Sequence, residues 1–187
     1  MADHMTDRDR DPIGRPRNAR PRDAAGRPLP HGATDAGREP DEPLPAAEAL
    51  RRAAGLVAAG LPFRAHEVLE AVWKAAPSRD RPLWRGLAQL AVGLTHDQRG
   101  NPAGTGALLE RGAASLIEWC AQDRPGADDV RRIAERARAA AATQEAQPSE
   151  AGRPSARSSS PSPSFSAEFA AIMSSLASSI SASASGS

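Results

Sequence analysis

The residues best equipped for chemistry in this chain fall within His66-Glu67-Val68-Leu69-Glu70-Ala71-Val72-Trp73. A histidine, two carboxylates and an indole occupy two successive turns of what reads as an amphipathic helix. Ionisable groups beside a large aromatic, at the edge of an apolar face, are costly unless they are paired or put to use. At about 100° per residue, Ala65, Val68, Leu69, Val72 and Trp73 share one face, and His66 and Glu70 lie along its border. Histidine at i and glutamate at i+4 project from one side of a helix, so they can share a metal ion or act as an acid–base pair. On the next helix Arg85, Gln89 and His96 fall within about 40° of one another. If that face meets the second helix, six polar groups converge: His66, Glu67, Glu70, Arg85, Gln89 and His96. Trp73 and Trp84 would wall the space, and Arg99 and Asn101 would lie near one end.

The favoured reading of this convergence is a polar pocket that binds a small ligand or a protein partner. His66 and Glu70 would set its charge, and Gln89 and His96 would orient what binds. Two alternatives come from other classes. A metal-dependent hydrolase would use His66, Glu70 and His96 as ligands and Glu67 as general base. A structural or scaffold protein would use the same groups as a hydrogen-bond network that sets helix register, with Glu70 accepting from His66 and Arg85 answering Glu67. The zinc-protease pattern His-Glu-x-x-His is not met, because Glu70 stands where the second histidine belongs. No fingerprint for a nucleotide or other cofactor is present, so no cofactor and no catalytic residue is assigned.

The elements that must position these groups follow from composition and punctuation. Aromatic residues make up 3% of the 187, and tyrosine is absent. The core must therefore come from Leu, Val and Ala, which favours closely packed helices over a sheet. Residues 43–146 carry nearly all the periodic hydrophobicity and divide into about five helices. The first runs near Pro45 to Ala59 and stops at Gly60. The second spans about Phe63 to Ala76. The third is capped by Ser78 or Asp80, has Pro82 in its first turn, and ends at Arg99. After the Gly100-Asn101-Pro102 break, the fourth spans roughly Ala103 to Gln122. Asp128 or Asp129 opens the fifth, which reaches about Thr143. Short connections imply antiparallel neighbours in an all-α compact bundle. Gly86 and Gly93, on a flank of the third helix, would let another helix approach closely.

The ends are compositionally distinct. Residues 1–42 form an extended arm rich in Arg, Asp and Pro, too polar to bury a core of its own. It reads as a solvated extension or as a strap lying over the bundle. Residues 147–187 are dominated by Ser and Ala and read as a disordered tail. Within it, Phe165, Phe169, Ile172, Leu176 and Ile180 recur at helical spacing, as in a short partner-docking helix.

Several function classes are disfavoured. The formal net charge is +1, and the arginines of the arm are interleaved with aspartates without aromatics, which speaks against nucleic acid. No membrane span or secretory leader is legible, so a cytoplasmic protein is expected. Cys120 is the single cysteine, which excludes an internal disulfide and any multi-cysteine metal site. A homodimer would cover any spare apolar face.

In order along the chain, His66-Glu67-Val68-Leu69-Glu70 with Trp73, Gly86-Leu87-Ala88-Gln89-Leu90-Ala91 leading to His96, Gly100-Asn101, and a Leu108-Leu109 helix resemble an uncharacterised bacterial and archaeal family, number 309 among domains of unknown function. The resemblance spans about residues 45–120. The segment from Gly14 to Asp23, followed by Gly26-Arg27-Pro28-Leu29-Pro30, resembles an N-terminal extension of one branch of that family, which favours the strap. The resemblance implies an all-α bundle and no particular activity. It points to His66, Glu67, Glu70, Trp73, Gln89, His96 and Asn101.

Overall fold

A computed structural model describes residues 21–23, 26–30, 32–33, 39, 42–122, 124–146 and 163–184. Among them are six helices and no strand: α1 (Ala46–Ala58), α2 (Pro62–Ala75), α3 (Arg81–Gln98), α4 (Pro102–Cys120), α5 (Ala127–Glu145) and α6 (Pro163–Ala184). Each helix packs on its neighbours in the chain, and α6 returns to lie against α1 and α5. The core is built from small and branched aliphatics, with Leu50, Leu69, Leu87, Leu90, Leu109 and Leu116 fully buried.

The helix ends show how local sequence sets the turns. After α1, Gly60 adopts φ +74°; its N–H donates to the Val57 carbonyl, and the Leu61 N–H reaches back to the Leu56 carbonyl. After α3 the pattern repeats. Gly100 has φ +69°, its N–H donates to Asp97, and the Asn101 N–H donates to His96. Both are Schellman closures, in which glycine takes the left-handed conformation that a β-carbon disfavours. Asn101 then caps α4, its side chain accepting from the Gly104 N–H at 2.9 Å, and Pro102 fills the first helical position, where no N–H is needed. Asp80 precedes α3 as expected, but its carboxylate does not cap the helix; it is bonded to Arg79 and Arg124 instead.

Helices α3 and α4 approach closely at glycine. A β-carbon on Gly86 would lie 2.7 Å from Leu116 Cδ2 and 2.9 Å from the Gly112 carbonyl oxygen, and one on Gly93 would lie 3.1 Å from Leu109 Cδ2. The spacing of Gly86 and Gly93 thus serves the close approach read from it.

The Ser/Ala-rich tail departs from the expected disorder. Pro163–Ala184 is helix α6, with Phe165, Phe169, Met173, Leu176 and Ala177 buried. The apolar stripe was legible, but its partner is the bundle itself. The serines do not break the helix, because the hydroxyls of Ser174, Ser178 and Ser179 donate to carbonyls one turn back, which satisfies them locally. Each large buried side chain here contributes about 1.5–3 kcal/mol toward ordering the segment. Residues 147–162 lie outside the described residues.

The described part of the N-terminal arm lies along α2. Arg22 and Pro28 form an isolated bridge, closed by Gly26 at φ +73°. Gly26 sits so tightly on the Phe63 ring that any β-carbon would overlap it, and the Arg22 guanidinium lies 5.2 Å from the same ring's centroid. Most of the arm's expected arginine-rich beginning lies outside the described residues.

Candidate functional site

The ten residues singled out from sequence do not form one pocket. They fall into three places along α2, α3 and the turn into α4, and Trp84 faces a fourth.

The first place is the outer corner of α2. His66 is mostly buried, with 23% of its side chain exposed, and its Nε2 lies 3.8 Å from Glu70 Oε2. Lys74 pairs with the other oxygen of Glu70 at 3.3 Å, and the Phe63 ring lies 6.1 Å from the imidazole, tilted. His66 Nδ1 is buried without a hydrogen-bond partner. Burial lowers the histidine's pKa below its ordinary value; Glu70 works against that, Lys74 with it, and the nearby Ala88 backbone carbonyl against it. The imidazole is therefore neutral near pH 7. Trp73 is partly buried against the core.

Beside this corner the strap returns as Glu39, a residue the sequence did not flag. Its carboxylate is 3% exposed and is held by Arg52 at 3.0 Å and by Arg64. The Glu39 N–H donates to Glu67 Oε2 at 3.4 Å, so Glu67 meets the strap. Burial alone would raise the Glu39 pKa, but the two arginines outweigh it and hold the carboxyl below its usual range. Nothing in the local sequence signals this clamp, because Glu39 is distant in the chain from Arg52 and Arg64. An open cleft of about 520 Å³ lies alongside, lined by Glu39, Glu42, Leu44, Glu48, Arg51, Arg52 and Val68.

The second place is the α3–α4 interface. Arg85 Nε donates to Ser115 Oγ at 3.2 Å, and Nη2 pairs with Glu118 at 3.1 Å. Gln89 Oε1 accepts from Ser115 Oγ at 3.4 Å. Arg85 and Gln89 thus answer α4 rather than Glu67 on α2. The physical reason is the glycine face: Gly86 and Gly93 draw α4 against that side of α3.

The third place is the turn into α4, where Asn101 Nδ2 and His96 Nδ1 are 2.9 Å apart. A β-carbon on Gly104 would overlap both groups, so the glycine makes room for this closure. Arg99, the C-cap of α3, belongs to the same turn. His96 lies eight residues beyond Ala88, about 12 Å along the helix axis. The convergence that a His66/Glu70/His96 metal site requires is not formed. Among the described residues no group of three or more His, Cys, Asp or Glu is placed to hold a metal ion.

Trp84 lines a second open cleft with Trp119 of α4, where the sequence reading set it opposite Trp73. Two further groups went unread. Asp97 is 9% exposed, and burial pushes its pKa up to about 6. Trp119 Nε1 is buried and unpartnered.

The fold and its sites define a small all-α bundle with a His/Glu corner on α2, beside which Arg22, Gly26 and Glu39 pack against Phe63 and Glu67. Residues 50–108 match the family described as Domain of unknown function (DUF309), and the resemblance read from the sequence holds over that stretch. The uncharacterised protein YpuF of Bacillus subtilis (strain 168) is 46% identical over 48 residues, which cover 25% of this chain and 28% of that protein. No solved structure matches the chain. No helix among the described residues is long and apolar enough to cross a membrane.

Proposed function

We propose that the α2 corner binds a small polar ligand or partner group through His66 and Glu70, without catalysing a reaction on it. The observation that supports this is the state of His66. It is neutral, mostly buried, and carries a nitrogen that no described residue satisfies, beside a Glu70 carboxylate that is still 34% exposed. Buried polar groups without partners are few in native proteins, and each calls for a reason. An incoming group that donates a hydrogen bond, such as a hydroxyl, an amide N–H or an ammonium, fits the exposed Glu70 carboxylate. Arg85 and Gln89 have no part in this site.

The test is a nuclear magnetic resonance screen of the full chain with small alcohols, amides and amines, reading the ring nitrogens of His66. Binders are expected to shift those resonances saturably and to weaken about tenfold in Glu70→Gln. A screen in which every binder leaves His66 unmoved removes the site.

A further inference from the structure

A second cleft stands at the N-terminal end of α3. The cleft of about 500 Å³ is lined by Leu83 and Trp84 of α3, Trp119 of α4, Ile180 of α6, and the loop residues Arg79, Asp80, Arg124 and Pro125. Its volume is within the range of small-molecule sites. The floor is apolar: both indoles are only 4% exposed. The polar groups are few and mostly cationic. Arg124 lies over the Trp119 ring at 5.5 Å and donates to Asp80 and Gln122. Arg79 reaches the other oxygen of Asp80 at 3.4 Å, with 74% of its side chain exposed. Two guanidiniums share one carboxylate, so these residues carry a surplus positive charge.

Trp119 supplies the decisive observation. An indole N–H can only donate, this one is buried, and no acceptor is present for it among the described residues. A buried donor left unmade costs about 1–3 kcal/mol, yet the residue sits in a well-packed wall rather than in a strained loop. An acceptor that reached this N–H past the indole edges would relieve that cost. The N-terminal end of α3, with the positive pole of its dipole, lies at the same edge.

We infer that this cleft binds a small organic monoanion, a carboxylate on an apolar body. The carboxylate would take the Trp119 N–H and the guanidiniums of Arg124 and Arg79, and the apolar body would lie on Leu83, Trp84 and Ile180. One surplus charge and an apolar floor suit a carboxylate better than a dianionic phosphate, for which no cluster of backbone N–H groups is present among the lining residues. Trp119, Arg124 and Ile180 lie beyond the stretch that matches the family, so the site depends on the C-terminal half of this chain.

The test uses the full chain with phenylacetate as the probe, with phenylacetamide and acetate as controls that lack the charge or the apolar body. The readout is the indole N–H resonance of Trp119, assigned from its loss in Trp119→Phe. Phenylacetate is expected to shift it saturably, and both controls to bind at least about tenfold more weakly. Arg124→Gln should weaken phenylacetate by about tenfold or more. Because Arg124 also ties two loops together, Arg79→Gln is measured beside it; Arg79 is exposed enough to be changed without disturbing the fold, and a smaller weakening of a few-fold is expected. The inference is overturned if phenylacetate leaves Trp119 unmoved up to about 10 mM, if phenylacetamide binds equally well, or if neither arginine variant weakens binding. A buried water as the partner of Trp119 would produce the first of these results.

Discussion

Two glycines in helix interiors should respond oppositely to the same substitution. Gly55 lies in α1 with nothing within 4 Å of where a β-carbon would stand, whereas Gly86 in α3 faces Leu116 and the Gly112 carbonyl. Alanine is favoured over glycine in a helix by about 0.8–1 kcal/mol. At Gly55 nothing opposes that gain, so Gly55→Ala should stabilise the protein by about 0.5–1 kcal/mol. At Gly86 the new methyl would lie 2.7 Å from Leu116 Cδ2 and 2.9 Å from backbone oxygen. The leucine can rotate, but the carbonyl belongs to α4 and moves only with the helix. Overpacking of that kind costs about 1–3 kcal/mol, and separating the helices also strains the Arg85–Ser115–Gln89 bonds. The net expectation for Gly86→Ala is a loss of about 1–2 kcal/mol after the propensity gain is subtracted. Urea unfolding of the two variants beside wild type, with unchanged slopes, separates them directly. If Gly86→Ala raises the midpoint as Gly55→Ala does, α3 and α4 are not in close contact at Gly86.

Three other expectations can be measured on the same footing. Asp97 holds its proton up to about pH 6 when folded, against 3.8 ordinarily, so the native state binds more protons between those values and stability falls as pH rises through them. At about 1.4 kcal/mol per tenfold change in proton affinity, Asp97→Asn should gain up to about 3 kcal/mol at pH 7 and flatten that slope; an unchanged profile from pH 4 to 6 would contradict it. Glu39 runs the other way: its carboxyl titrates below its usual range, so its contribution is present above pH 4.5 and is lost as pH falls below it. Glu39→Gln should cost about 1–3 kcal/mol at pH 7 by leaving Arg64 without its partner, with thermal unfolding at pH 7 and pH 3 as the check. Phe169 is 1% exposed and stacked on Phe165 with ring centroids 5.9 Å apart, so Phe169→Ala should lose about 3–5 kcal/mol and speed amide exchange in both α6 and α1. Rapid exchange confined to α6 would show that α1 does not need it.

Much of this bundle was written in local sequence, because helix boundaries depend on groups a few residues apart. Gly60 and Gly100 close α1 and α3 through bonds to their own last turns, and Asn101 caps α4 through Gly104. The apolar spacing in α6 was visible too, although serine and alanine made the segment look unable to fold. What disguised it was the absence of a partner: an apolar stripe orders only when another surface covers it, and α1 and α5 supply that surface from far away in the chain. The same limit split the candidate site. His66, Glu70 and Lys74 meet because one helix carries them at i, i+4 and i+8, and any correct helix assignment brings them together. Arg85 and Gln89 share a face of α3, but periodicity does not say which helix that face meets. The close approach of Gly86 to Gly112 decided it, turning both residues toward α4 and away from Glu67. Glu39 finds Arg52 and Arg64, and Trp119 comes to share a cleft with Trp84, through packing between distant segments. The pattern of one helix is a property of its sequence; which faces touch depends on how volume and charge are shared among six, and only the folded molecule resolves that.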